Sequence, residues 1–218
     1  VKELILVAQE TTMYGVDQGS AVSGAPRLPE LLRELCRIDG LRWIRMLYCY
    51  PEHMTDELLD VMAEEEKIVK YLDIPIQHCS EKVLKAMNRT GGGEALKAQL
   101  RHIREKVPGI VLRTTVMTGF PGEGREEFEE LCSFIKEIRF ERLGCFAFSP
   151  EEGTPAYTME GQLSDKVKNR RRDIIMETQS RIAAEYNEAQ VGRTLEVLVE
   201  GYDRYAGCWF GRSAADAP

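Results

Sequence analysis

One stretch constrains the fold of this chain more than any other: residues 110–123, reading IVLRTTVMTGFPGE. Mostly apolar or β-branched residues run into a Gly-Phe-Pro-Gly turn, and an acidic amphipathic segment follows. That order spells a buried parallel strand, a ligand-facing loop and a crossover helix. The same order recurs along the chain. Strand 1–8 precedes helix 28–38, where Leu28, Leu31, Leu32, Leu35 and Cys36 recur at helical spacing. Strand 43–49 precedes helix 55–65, with Thr55 as its N-cap. Strand 71–76 leads through Gln77, His78 and Cys79 to helix 80–88, capped by Ser80, and a second helix, 94–106, stops before Pro108 and Gly109. Strand 110–117 precedes helix 125–138, and strand 141–148 opens into a loop over 149–155.

Strands alternating with helices through short connections predict a parallel α/β sheet. Five such units are too few for the eight-fold barrel and fit a partial one. The segment Leu4–Ala8 is apolar on both faces, as for a strand with neighbours on each side. A bare edge of that kind is avoided in natural sheets. The expectation is that a first unit precedes it and that this chain is a fragment; the missing initiator methionine points the same way.

Beyond residue 162 the character changes. A long charge-rich helix is expected from about Ser164 to Gln190, stopped at Gly192. Residues 194–200 alternate as a strand, 201–204 read as a turn, and 205–210 as the returning strand. The expected division is 1–162 for the partial barrel, 163–192 for a connecting helix and 193–218 for the start of a small β-domain.

Composition excludes several classes. No apolar run approaches the roughly 20 residues that span a bilayer. Residues 1–8 carry neither the basic region nor the cleavage site of a signal peptide, so a cytoplasmic location is expected. The net charge of −7 speaks against a nucleic-acid partner, which usually calls for a basic footprint, and suits a basic protein partner or mere solubility. Six cysteines stand at 36, 49, 79, 132, 145 and 208, none spaced as a metal clip. They read as buried thiols, with neither disulfide nor metal site expected.

Four segments carry a resemblance: AQETTMYG at 8–15, YPEHMTDE at 50–57, IPIQH at 74–78 with VLKAMNR at 83–89, and GFPGE at 119–123. In that order they resemble the radical S-adenosylmethionine methylthiotransferases of the RimO type, and residues 211–218 resemble that family's TRAM domain. The resemblance implies a partial (β/α) radical-SAM barrel missing its first unit, followed by the start of a TRAM β-domain. It implies S-adenosylmethionine and [4Fe-4S] clusters in the parent protein, whose three-cysteine loop and N-terminal cluster domain are absent here. It implies hydrogen abstraction from the β-carbon of an aspartate in a basic small-subunit ribosomal protein, followed by methylthiolation. This chain alone is expected to be inactive. The tRNA-modifying relative shares some segments, but 193–218 hold four acids (Glu196, Glu200, Asp203, Asp216) and three arginines (Arg193, Arg204, Arg212), not a basic surface. A cluster-free binding scaffold is the reading from another class.

Ligands of parallel α/β folds lie at the C-terminal ends of strands. With the resemblance, that rule selects Gln9, Glu10, Gln77, Thr118, Gly119, Phe120, Gly122 and the segment 146–149, including Phe148, as cofactor-binding candidates. Glu10 can accept from the α-ammonium, Gln77 can meet a ribose hydroxyl, and Gly119 and Gly122 admit close backbone approach to the adenine. Arg113 can meet the α-carboxylate if it faces the cavity. Each has a plainer role beside it: Gln77 as a helix cap, the glycines as a sharp turn, Arg113 in a structural ion pair. His53 and His78 read as structural or positioning groups, and Met62, Met87 and Met117 as core filler.

Overall fold

The computed structural model describes residues 1–16 and 26–217; the reading of Pro218 as part of the terminal segment lies outside them. The strands are β1 (Glu3–Leu6), β2 (Trp43–Met46), β3 (Ile68–Asp73), β4 (Val111–Thr118), β5 (Arg142–Ala147), β6 (Val197–Asp203) and β7 (Cys208–Ser213). The helices are α1 (Leu28–Cys36), α2 (Asp56–Glu64), α3 (Glu81–Ala86), α4 (Gly93–Lys106), α5 (Arg125–Ile138) and α6 (Asp165–Glu188). Two compact units contain them: Val1–Asp73 with Arg104–Val111 and Gln190–Pro218, and Ile74–Ile103 with Leu112–Ala189.

In the first unit β1, β2 and β3 lie side by side in chain order, all parallel. Helices α1 and α2 cover them with buried Leu28, Leu32, Leu58, Leu59 and Met62, against Ile44, Met46, Ile68 and Leu72. Each such side chain contributes about 1.5–3 kcal/mol of burial. Thr55 caps α2 as expected, its side chain accepting from the Leu58 N–H. The third strand begins at Ile68 and ends at Asp73, where the sequence suggested 71–76. Pro75 has no N–H for the ladder, so regular pairing stops before it. Lys70 inside the strand is explained by its ammonium, which donates to the Ala63 carbonyl at the end of α2.

In the second unit β4 and β5 pair in parallel, from Arg113 opposite Arg142 to Thr118 opposite Ala147. Helix α5 matches the predicted span at both ends and buries Leu131, Phe134, Ile135 and Ile138. Helix α6 is charged along most of its length, yet buries Lys168, Ile175, Gln179 and Ile182. Gln179 donates its amide to the Phe140 carbonyl.

Strands β6 and β7 form an antiparallel hairpin whose turn falls later than the sequence suggested. Gly201 sits at an irregularity opposite Phe210 and lets β6 run on to Asp203. The Asp203 carboxylate then accepts from the Tyr205 and Ala206 N–H groups, and Gly207 takes φ +65°. The hairpin is tied to β1 and β2 by charge. Glu3, 4% exposed at its side chain, accepts from the Arg45 Nε at 2.8 Å and from Arg212. Arg45, fully buried, also donates to the Ala214 carbonyl and lies 4.6 Å from the Tyr71 ring centroid. Among the described residues no helix is long and apolar enough to cross a membrane.

Candidate functional site

In the first unit the loops after β1 and β2 are knitted together. The Thr11 N–H donates to the Tyr48 carbonyl, and the Thr11 hydroxyl to the Leu47 carbonyl at 2.6 Å. The Tyr50 N–H reaches the Thr12 hydroxyl at 3.4 Å, and that hydroxyl donates to Glu10 Oε1 at 3.1 Å. His53 Nδ1 bonds the same Glu10 oxygen. Tyr48 is held at φ +57°, a conformation costly for a bulky residue, and its N–H is taken by the Asp73 carboxylate. Gln9 is exposed; Glu10 is half-buried. Glu10 also lines a cleft of about 740 Å³ along β1, with Ile5, Val7, Ala8, Met13 and Leu31.

In the second unit the segment after β3 leans on β4. Ile74 and Gln77 donate their N–H groups to the Arg113 and Thr115 carbonyls, and Met117 donates to the Gln77 carbonyl. The buried Thr114 hydroxyl bridges the chain on either side of Pro75, donating to Ile74 and accepting from the Ile76 N–H. Gln77 is half-buried at φ +65°. It does not cap the next helix: Ser80 occupies the N-cap position without a side-chain capping bond, and the His78 Nδ1 accepts from the Ser80 N–H. Along β4, Thr114, Val116 and Thr118 are buried, while Arg113, Thr115 and Met117 alternate on the more open face.

The Gly-Phe-Pro-Gly turn is held from below by a buried carboxylate. Glu123 accepts from the Gly119 N–H at 2.7 Å and from Arg171 Nη1 at 2.6 Å, and faces the buried His78 Nε2 at 3.7 Å. Arg171 also donates to the Glu123 carbonyl. Thr118 donates to the Lys168 carbonyl, and the Lys168 ammonium lies 5.2 Å from the Phe148 ring centroid. Phe120 and Phe148 are buried edge to face, centroids 5.0 Å apart, with Val83, Met87 and Met117 packed around them. Gly119 has φ +78°, and a Cβ there would stand 2.4 Å from Lys168 Cγ. Gly122, at φ +84°, faces open space. Gly119→Ala is therefore expected to lower stability by about 2–4 kcal/mol, combining a left-handed backbone with overpacking. A urea melt checks it, and adding Lys168→Ala should recover only the part due to Lys168 Cγ, since the Lys168 Cβ would still stand 2.9 Å away.

Sequence reasoning named Glu10, Gln77 and Gly119, and His53 as a structural or positioning group, but did not pair His53 with Glu10 and missed the other partners: Thr12, the β4 backbone, Glu123 and Lys168. For His53 and Thr12 a signal existed, since both sit in the motif segments that carried the resemblance.

The cysteines are free thiols; Cys36, Cys49, Cys79 and Cys145 are buried. Burial pushes the Cys36 thiol up to about 11 and the Cys145 thiol to about 12. Among the described residues no group of three His, Cys, Asp or Glu side chains is placed to hold a metal ion. Within the first unit Glu10 offers a carboxylate acceptor; within the second Gln77 offers a half-buried side-chain amide, and Gly122 has open space where a Cβ would stand while its N–H donates to the Gly161 carbonyl.

The Radical SAM superfamily profile matches residues 1–135. The chain is 52% identical, over its whole length, to the ribosomal protein uS12 methylthiotransferase RimO of Lachnoclostridium phytofermentans, covering 49% of that protein. It is 50% identical to the RimO of Caldanaerobacter subterraneus subsp. tengcongensis, again over its whole length, covering 48%. The chain thus spans about half the length of these curated relatives. Among solved structures, coproporphyrinogen III oxidase (HemN) from Escherichia coli, a radical SAM enzyme, is similar in fold: TM-score 0.54, 23% identity, covering 72% of this chain and 36% of that one. Methanocaldococcus infernus Elp3 gives TM-score 0.52 at 12% identity, covering 81% and 44%.

Proposed function

Since this chain belongs to the radical SAM superfamily, we propose that it is the partial-barrel portion of a methylthiotransferase acting on the ribosomal protein uS12. The observation that carries the proposal is 52% identity across all 218 residues to an enzyme of that name. An aspartate β-carbon is the proposed target, the cytoplasm the proposed location, and the β6–β7 hairpin the proposed start of a TRAM domain. The acidic net charge of −7 suits a basic protein substrate better than tRNA.

When bound, S-adenosylmethionine with its [4Fe-4S] cluster supplies the hydrogen-abstracting chemistry. What this chain's own candidate residues contribute is binding and orientation. In the first unit, Glu10 accepts from an α-ammonium, with Gln9 beside it. In the second, Arg113 pairs with a carboxylate and Gln77 meets a ribose hydroxyl. There, too, Gly119 and the buried Phe120–Phe148 pair brace the turn that presents Gly122 to a purine ring. The left-handed Gln77 and the Glu123-braced turn keep these groups in place without ligand, which lowers the ordering cost of binding.

The test puts this chain in place of the stretch it matches in the Lachnoclostridium relative and expresses the fused protein in bacteria lacking their own uS12 methylthiotransferase. Intact-protein mass spectrometry should find uS12 heavier by one methylthio group. Unmodified uS12 beside newly methylthiolated tRNA would move the assignment to the tRNA-modifying relative. Both unmodified, with the fused protein soluble and cluster-loaded, would overturn it in favour of a binding scaffold.

A further inference from the structure

Two of the motif segments meet at one atom. Glu10 lies in the loop after β1, and His53 follows β2 in a short 3-10 turn over Pro51–His53. His53 Nδ1 and the Thr12 hydroxyl both bond Glu10 Oε1. A carboxylate only accepts, so the Nδ1 facing it carries the proton. Among the described residues Glu10 Oε2 has no hydrogen bond, and the side chain lines the cleft along β1. The carboxylate is therefore tethered by one oxygen and open at the other.

We propose that His53 is a positioning residue: it locks the Glu10 carboxylate so that the open oxygen is aimed at the ammonium group of an amino-acid-bearing nucleoside. This rests on the reading of Glu10 as the ammonium acceptor given above. A glutamate side chain left free must be ordered at the moment of binding, at a cost of up to about 2 kcal/mol. A charge-assisted bond from His53 meets that cost in advance, and the Thr12 hydroxyl, itself fixed by the Tyr50 N–H, prevents rotation the other way. His53 is 38% exposed at its side chain, so replacing it removes the tether without opening a core cavity.

The experiment measures dissociation constants of S-adenosylmethionine and of 5′-methylthioadenosine by ligand-observed NMR on the 218-residue chain. The two ligands share the nucleoside, and only the first bears the ammonium. The variants are His53→Leu, His53→Asn, Glu10→Gln and the double variant His53→Leu/Glu10→Gln. Asparagine can present an N–H near the position of Nδ1. His53→Leu is expected to weaken S-adenosylmethionine about tenfold, the scale of one hydrogen bond to a charged group. Methylthioadenosine should be unaffected, His53→Asn should restore most of the affinity, and the double variant should be no weaker than Glu10→Gln alone. If Glu10→Gln weakens S-adenosylmethionine while His53→Leu does not, or the two losses multiply, the positioning role is overturned and the acceptor stands. If Glu10→Gln leaves the affinity unchanged, or the wild-type chain binds neither ligand at about 10 mM, the acceptor reading itself falls.

Discussion

Replacing Glu123 with alanine is expected to cost about 3–5 kcal/mol of folding stability, the range found when one partner of a buried ion pair is removed. The carboxylate is fully buried, and its Arg171 partner is only 13% exposed at the side chain. Without Glu123 the guanidinium keeps one acceptor, the Glu123 backbone carbonyl, while the buried Gly119 N–H loses its acceptor altogether. Neither group can turn to water without opening the turn. The loss should appear as a lower urea midpoint by circular dichroism, with hydrogen exchange accelerated first at Gly119. Glu123→Gln should cost less, since an amide oxygen can still accept from Gly119, but its NH2 cannot satisfy Arg171. A midpoint within error of wild type for Glu123→Ala would mean that the turn is not held by this carboxylate.

Glu3 is expected to matter on a similar scale and to impose a pH dependence. It is the shared acceptor of Arg45 and Arg212, so Glu3→Ala leaves the fully buried Arg45 without a carboxylate, while the 11%-exposed Arg212 keeps Glu200. A loss of about 3–5 kcal/mol follows from the uncompensated buried charge. Burial by itself would raise the Glu3 carboxyl, but the hydrogen bonds and charges of Arg212 and Arg45 outweigh it and hold it below its ordinary value of 4.5. A carboxyl depressed in the folded state stabilises fully above its unfolded value and loses that contribution as pH falls through the folded one. The stability gap between wild type and Glu3→Gln should therefore be constant from pH 7 down to about 5 and narrow below about 4.5. Paired urea melts at pH 7 and pH 3.5 measure it. A gap that widened on acidification would have the wrong sign for this arrangement.

Much of the architecture was legible because hydrophobic periodicity reports directly on which face is buried. Helix α5 declares itself at both ends through one apolar stripe. The β4 strand and its turn are equally explicit, since a run of β-branched residues and Gly-Phe-Pro-Gly allow few alternatives. Errors arose where local pattern was overruled by a partner distant in sequence. Strand β3 starts at Ile68 because that residue pairs with Ile44, and the lysine that hid the strand is satisfied by α2. The hairpin turn moved because Asp203 closes it with a side-chain bond rather than by the residues that looked most turn-like.

The site divides in the same way. The order of residues alone placed Glu10, Gln77 and the Gly119 turn in the segments that follow strand ends. A strand end is a consequence of period and length, which any short window of sequence contains. Tertiary structure alone decided who holds whom. Glu10 meets His53 across 43 positions, and Glu123 meets Arg171 across 48. It also decided that Gly119 must be glycine because Lys168 of α6 lies against it. A hydrogen bond depends on angstrom-scale placement of two groups, and that placement is set by how strands register and helices pack, not by either group's own neighbours in the chain.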